Sequence, residues 1–308
     1  MKQSYDVCVI GAGPAGLTAA MYLARSGCSV ALVEALASGG QVLQTAMLDN
    51  YPGFPNGIKG YELADFLSAH LESLDVDRIS DTVVSVAKGE FDFAISLGAS
   101  SFEASAVIAC PGAKHRLLGI EREGELTGHG VSYCALCDGN FFRNCEVAVV
   151  GGGNAALEES LYLANIAARV HLIHRREAFR GLQAYQDKVA RSDRIVLHRN
   201  SKVTRLVGDA QLTGVVIADV NSGKEEELSV EGLFIYVGFE PVTSFLPPEL
   251  KRDEQGFIIT DAEMRTNMSG LFAAGDIRSK LCRQAITAAG DGATAAHAAF
   301  LFLEHGHV

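Results

Sequence analysis

The chain begins with a short apolar run and then switches to a helical period. Tyr5 to Ile10 predicts a buried strand. Gly11-Ala12-Gly13-Pro14-Ala15-Gly16 interrupts it, and Leu17 to Ser26 carries apolar residues at helical spacing until Gly27. Ser29 to Glu34 predicts a second strand and completes a βαβ unit. The same succession returns about half a chain length later. Glu146 to Val150 predicts a strand, Gly151-Gly152-Gly153-Asn154-Ala155-Ala156 a turn, Leu157 to Ile166 a helix, and Arg169 to Ile173 another strand. Two copies so far apart indicate a duplicated module rather than a short-period solenoid.

Weaker patterns fill the rest. Tyr61 to Leu74 predicts an amphipathic helix. Thr82 to Leu97 and Phe102 to Ala109 alternate like a β-meander. Val203 to Val207, Leu212 to Val220 and Glu226 to Val230 form a second meander, followed by a buried strand over Leu233 to Val237. Leu271 to Ala274 predicts a short strand running into Gly275-Asp276, and Ala285 to Glu304 a final helix. The expected class is α/β, with two Rossmann-like three-layer dinucleotide-binding domains, the second inserted in the first. The first is expected over 1–112 and 242–308 and the second over 113–241, with crossings near Pro111-Gly112 and Pro241.

Composition narrows the partners. A chain of 308 residues suits two domains of ordinary size. The formal net charge of −11 argues against nucleic acid or an anionic membrane surface. The most apolar stretch, Val7 to Ala24, is broken by Gly11, Gly13, Pro14 and Gly16, so it predicts strand, turn and helix rather than a membrane span. Met1-Lys2-Gln3-Ser4 is too short for an export signal, and a soluble cytoplasmic enzyme is expected. The seven cysteines are scattered, and Cys8, Cys28, Cys110, Cys145 and Cys282 predict small buried hydrophobes. Cys134-Ala-Leu-Cys137 has no second ligand pair nearby, so no metal site is expected.

Candidate chemistry sits at three places. In the first module Gly11, Gly13 and Gly16, with Pro14 and Ala15, form a turn whose exposed N–H groups favour a pyrophosphate. Glu34 ends the second strand, where an acid accepts ribose hydroxyls and repels a 2′-phosphate, which points to FAD or NAD. In the second module Gly151, Gly153, Asn154 and Ala155 form the corresponding turn. There the acid is replaced by His174-Arg175-Arg176, with Arg180 a turn later. Guanidinium groups match phosphate oxygens, so this module predicts NADPH. In the CxxC pair, Cys134 opening a helix would place both sulfurs on one face and acidify the first thiol. Asp138 is a candidate proton carrier, and equally a turn former with Gly139.

The run Gly130-Val131-Ser132-Tyr133-Cys134-Ala135-Leu136-Cys137-Asp138-Gly139, with the second glycine turn and His174-Arg175-Arg176, resembles low-molecular-weight thioredoxin reductases, class II pyridine nucleotide-disulfide oxidoreductases. Gly39-Gly40-Gln41, Asn50-Tyr51-Pro52-Gly53-Phe54, Gly275-Asp276 and Arg283-Gln284-Ala285 through Gly290 match as well. The resemblance implies FAD in the first domain, NADPH in the second, a homodimer, and two alternating domain orientations. It implies that Asp276 bonds the ribityl chain and that Arg283, Gln284 and Ala285 lie along the isoalloxazine. It also implies that Cys137 faces the flavin while Cys134 attacks thioredoxin.

Three departures stand out: Cys110-Pro111-Gly112 for the usual Ala-Thr-Gly, His129 for a basic residue, and Asn140 before Phe141-Phe142. The first concerns flavin contacts and the other two the partner-docking surface. Reduction of another thioredoxin-like or peroxiredoxin-type carrier is the first alternative. A flavin-dependent dithiol oxidase is the second, opposed by the arginine cluster, and a flavin-binding redox sensor is the third.

Overall fold

The computed structural model describes residues 2–45, 47–48 and 50–305. The chain divides into two compact units, one comprising 1–46, 51–114 and 240–308 and the other 47–50 and 115–239.

In the first unit the opening apolar run becomes the strand Ser4–Ile10, with Val7, Cys8 and Val9 wholly buried. A strand in a parallel sheet is covered on both faces, which requires continuous rather than alternating apolarity. It pairs in parallel with Val30–Glu34 on one side and Ser101–Ala109 on the other. Val76–Ser80 extends the first side. Phe93–Leu97 and Val83–Lys88 extend the second as an antiparallel pair. Leu271–Ala273 pairs with the far half of Ser101–Ala109, so the C-terminal segment returns to the sheet that the N-terminus began. The helices Pro14–Arg25 and Ala285–His305 pack together over this sheet. Ala15, Ala19, Ala295, Ala296 and Ala299 share one core there with Leu17 and Leu23.

The glycine turn between the first strand and helix is sterically obligatory. Gly11 has φ 98°, and a Cβ on it would stand 2.5 Å from the Cys110 carbonyl oxygen. A Cβ on Gly16 would stand 1.7 Å from the Gly11 carbonyl oxygen. The helix can therefore lie against the turn only without that side chain. Gly16→Ala is expected to push the helix start off the turn and cost about 1–3 kcal/mol, the usual scale of overpacking. Calorimetric melting checks this: the melting temperature should fall.

The second unit repeats the plan. Its parallel sheet runs Ile195–His198, Arg169–Ile173, Glu146–Gly151, Gly232–Tyr236, Val131–Ser132. One face packs on the helix Asn154–Leu163 through Val147, Val149, Leu157, Leu163 and Phe234. The other packs on an antiparallel sheet of Ser201–Val207, Gly214–Asp219 and Glu225–Leu228. The apolar meander pattern therefore marks a sheet with one covered face.

The elements not foreseen include the strands Val76–Ser80 and Ile195–His198 and the helix Gln183–Arg191. Of that helix only Val189 is buried, so its apolar period is nearly absent. The helix expected from Leu157 begins at Asn154, because the glycine turn is itself its N-cap. Among the described residues no helix is long and apolar enough to cross a membrane. Among them, also, no group of three or more His, Cys, Asp or Glu side chains could hold a metal ion.

Candidate active site

Cys134 and Cys137 form a disulfide with their Cα atoms 5.3 Å apart. Cys134 caps the short helix Ala135–Asp138, and its Sγ accepts the Cys137 backbone N–H at 3.2 Å. The expectation that Cys134 opens a helix holds. That donor favours negative charge on Cys134 once the disulfide is opened, which is what an attacking thiol needs.

The pair is held by groups that sequence periodicity does not reveal. The Ser132 hydroxyl donates to Asp138 Oδ2 at 2.6 Å and accepts the Cys134 N–H at 3.1 Å. Ala135 N–H donates to the Tyr236 hydroxyl at 2.6 Å, from the end of a strand 101 residues away in sequence. Burial holds the Tyr236 phenol well above its ordinary value, with Glu159 adding to the effect. Burial also pushes the Glu159 carboxyl up to about 7, assisted by Glu158, and the buried Glu159 Oε2 has no hydrogen-bond partner among the described residues.

A second support lies upstream. Glu123 is buried, and its carboxylate accepts the Leu118 and Gly119 N–H groups at 3.0 and 2.9 Å and the Tyr133 hydroxyl at 2.9 Å. The Tyr133 ring stacks on His115 at 4.7 Å, and His115 packs on Phe239 at 4.5 Å. Burial in this stack lowers the His115 imidazole to about 4. An unfolded chain would take up that proton near 6.5, so this contribution is full above about pH 6.5 and is lost as pH falls toward 4. The expected loss at pH 5 is about 2 kcal/mol, and His115→Phe should remove that part of the acid sensitivity. Denaturant midpoints at pH 7 and pH 5 check it. Burial lowers His174 and His198 as well, with the same sign.

The second glycine turn and the arginines come together. The Arg180 and Gly181 N–H groups both donate to the Gly152 carbonyl, at 2.7 and 3.1 Å. Asn154 Oδ1 accepts the Leu182 N–H at 2.7 Å. These bonds clip the Arg180 loop to the turn. Arg175, Arg176 and Arg180 are exposed, and among the described residues no carboxylate lies within 4 Å of any of them, while neighbouring Glu177 pairs with Arg199 at 3.2 Å. Gly153 has nothing within 4 Å of an added Cβ, and Asn154 and Ala155 are exposed beside it. His174 is placed differently from its neighbours. It is buried, stacks on Phe179 at 5.1 Å, and donates from Nε2 to the Ala178 carbonyl at 3.1 Å. A Cβ on Gly152 would meet its ring at 2.2 Å, so His174 supports the turn from beneath.

The first unit assembles the other group of predicted residues. Gly13 caps the helix Pro14–Arg25 without a side-chain cap bond, leaving the helix start open to a ligand. Gly39 N–H donates to the Ala12 carbonyl at 2.7 Å, which brings Gly39-Gly40 to the turn. Gln41 Nε2 donates to the Ala113 carbonyl. Glu34 accepts the Ala12 N–H at 2.7 Å and the Leu36 N–H at 3.0 Å, so it braces the turn and keeps lone pairs for a ribose. Arg283 spans the Lys280 and Arg278 carbonyls and lies 4.0 Å from the Phe257 ring centroid. Gln284 accepts the first bond into the C-terminal helix that Ala285 opens. Asn50 groups with the second unit.

Among the described residues Asp276 Oδ1 is buried with no hydrogen-bond partner, the Lys280 ammonium standing 3.7 Å away, and burial raises the Asp276 carboxyl while Lys280 opposes the rise. An orphaned buried acceptor is costly unless a ligand donor satisfies it. With the open pyrophosphate turn, it fits a hydroxylated dinucleotide such as FAD.

The chain belongs to the pyridine nucleotide-disulphide oxidoreductase family, whose model matches residues 5–292. Within that family it resembles proteins named thioredoxin reductase. The one from Treponema pallidum (strain Nichols) is 40% identical over 304 residues, 99% of each chain. The one from Listeria monocytogenes is 42% identical over 98% of this chain and 95% of its own. The crystal structure of thioredoxin reductase from Streptococcus pyogenes MGAS5005 superimposes with a TM-score of 0.93 at 41% identity, over 99% of this chain and all of that one.

Proposed function

We propose that this chain is an NADPH-dependent flavoprotein that reduces the active-site disulfide of thioredoxin through FAD and the Cys134–Cys137 pair. The observation that carries the reading is the pairing, in one unit, of a closed CxxC disulfide with three exposed arginines, of which Arg180 is clipped through its backbone to the glycine turn. FAD is assigned to 1–112 with 242–308, held by the turn Gly11, Gly13, Pro14, Ala15 and Gly16, by Glu34, by Gly39, Gly40 and Gln41, and by Asp276, Arg283, Gln284 and Ala285; Asn50 does not belong to this set, because it groups with the second unit. NADPH is assigned to 113–241, its pyrophosphate at Gly151, Gly153, Asn154 and Ala155 and its 2′-phosphate at Arg175, Arg176 and Arg180, with His174 supporting the turn. From its likeness to the family, the reading also includes a homodimer and a cytoplasmic location.

FAD, when bound, supplies the two-electron relay between nicotinamide and disulfide. The residues of the chain do the rest. With the pair reduced, Cys134 Sγ attacks a sulfur of the thioredoxin disulfide, forming a mixed disulfide and releasing one partner thiolate. The Cys137 N–H steadies the attacking thiolate. Cys137 then attacks Cys134 Sγ, the internal disulfide reforms, and the second partner thiolate leaves. Asp138, held by Ser132, carries protons to the departing sulfurs.

The test is NADPH consumption under anaerobic conditions with and without a thioredoxin from the same cell, set beside a separate aerobic assay with oxygen as the only acceptor. Consumption should require the thioredoxin. Equal consumption with oxygen alone would remove thioredoxin as the acceptor, and oxygen uptake driven by a dithiol with no NADPH consumed would favour a dithiol oxidase.

A further inference from the structure

One ammonium group in the first unit stands between two carboxylates. Lys280 Nζ lies 2.9 Å from Asp291 Oδ2 and 3.7 Å from Asp276 Oδ1. The first distance is a charge-assisted hydrogen bond, and the second is beyond one. Asp291 is the hub of the group. Its Oδ1 pairs with Arg278 Nη1 at 2.9 Å, and its Oδ2 also accepts the Gly275 N–H at 3.1 Å. Arg278 is fixed in turn by Thr260, to which its Nε donates at 2.7 Å. The Lys280 and Asp291 side chains are only 9% and 13% exposed. Among the described residues nothing hydrogen-bonds to the buried Asp276 Oδ1, although a donor stands within 4 Å of it.

Position matters as much as charge. Asp291 is followed by Gly292, where a Cβ would stand 2.1 Å from the Ala15 carbonyl oxygen. The turn of helix that carries Asp291 therefore abuts the glycine turn of the first module, while its carboxylate grips the backbone of Gly275, next to Asp276. One helical turn sets both ends of the assigned FAD site.

We propose that Asp291 is a positioning residue for FAD: it holds Lys280 off Asp276, so that Asp276 Oδ1 stays open to a ribityl hydroxyl. The proposal rests on the reading that Asp276 binds FAD. Without the Asp291 charge, Lys280 has one carboxylate left within reach and closes on Asp276 Oδ1. The acceptor is then occupied before the ligand arrives. A purely structural role for Asp291 would not depend on the presence of Lys280.

The test measures FAD affinity of stripped protein by quenching of flavin fluorescence, with circular dichroism to confirm folding. Asp291→Asn is expected to weaken FAD about 30-fold, and Asp291→Asn with Lys280→Met to recover to within about fivefold of the parent, a coupling in the range found for groups sharing one network. Wild-type affinity in Asp291→Asn, or no recovery in the double variant, overturns the proposal. Should Asp291→Asn not fold, Lys280→Met alone decides. Affinity within about threefold supports a lysine that is merely held aside, and a loss of tenfold or more overturns it, because Lys280 would then be a direct contact. Asp276→Asn separates the underlying reading. If it leaves FAD affinity unchanged, that reading falls and takes the proposal with it. If it weakens FAD while Asp291→Asn does not, only the positioning role fails.

Discussion

Serine in place of Cys137 is expected to stop thioredoxin reduction, lowering turnover by about ten-thousandfold or more, the range seen when an enzyme loses one member of a catalytic unit. The reasoning is stoichiometric. A single thiol at Cys134 can attack the partner once, but nothing then resolves the mixed disulfide, and no internal disulfide exists to accept electrons from the nicotinamide side. Binding of both dinucleotides should be unaffected, because Cys137 lies outside both glycine turns. NADPH should therefore still bleach the bound flavin. Turnover with thioredoxin, set beside rapid bleaching in the same preparation, checks both halves. Bleaching without turnover is the expected pair, and retained turnover would remove the CxxC from the electron path.

The arginine cluster carries the second large effect. Arg175→Ala combined with Arg176→Ala is expected to raise the KM for NADPH about 100- to 1000-fold, since each charge-assisted hydrogen bond is worth about 1.5–3 kcal/mol. The KM for NADH should change by less than about threefold, because NADH lacks the phosphate that these groups recognise. The cluster is well suited to this role: in a chain of net charge −11 these arginines have no carboxylate within 4 Å among the described residues. Steady-state kinetics with both nucleotides measures the ratio. Equal losses for NADPH and NADH would instead indicate collapse of the Arg180 loop.

The parts legible in the sequence are those encoded locally. Both βαβ modules show a buried apolar strand, a glycine turn and a helical period in succession, and the structure places each within a few residues of expectation. The CxxC was legible for the same reason, since its geometry needs only four consecutive residues. The parts that were not legible depend on contacts distant in sequence. Ser132 and Tyr236 hold the CxxC turn, yet Tyr236 ends a strand that reads only as buried core. Glu123 is a buried acid whose partners are backbone N–H groups and a tyrosine, and no spacing rule announces it. Val76–Ser80 escaped because it is an edge strand with no fully buried residue. His174 sits beside two arginines in sequence and reads as one of a cationic set. It follows directly on the buried strand Arg169–Ile173, and its ring turns inward beneath Gly152. Adjacency in sequence groups residues by charge, whereas the end of a strand separates them by direction.

The most direct measurement is an anaerobic reductive titration of the FAD-loaded protein, following flavin absorbance and free thiols together. If the disulfide lies in series with the flavin, the parent protein takes up two two-electron equivalents per chain and two new thiols appear, whereas Cys137→Ser takes up one. A parent protein that accepts a single equivalent, bleaches fully and leaves the Cys134–Cys137 bond closed would contradict the account.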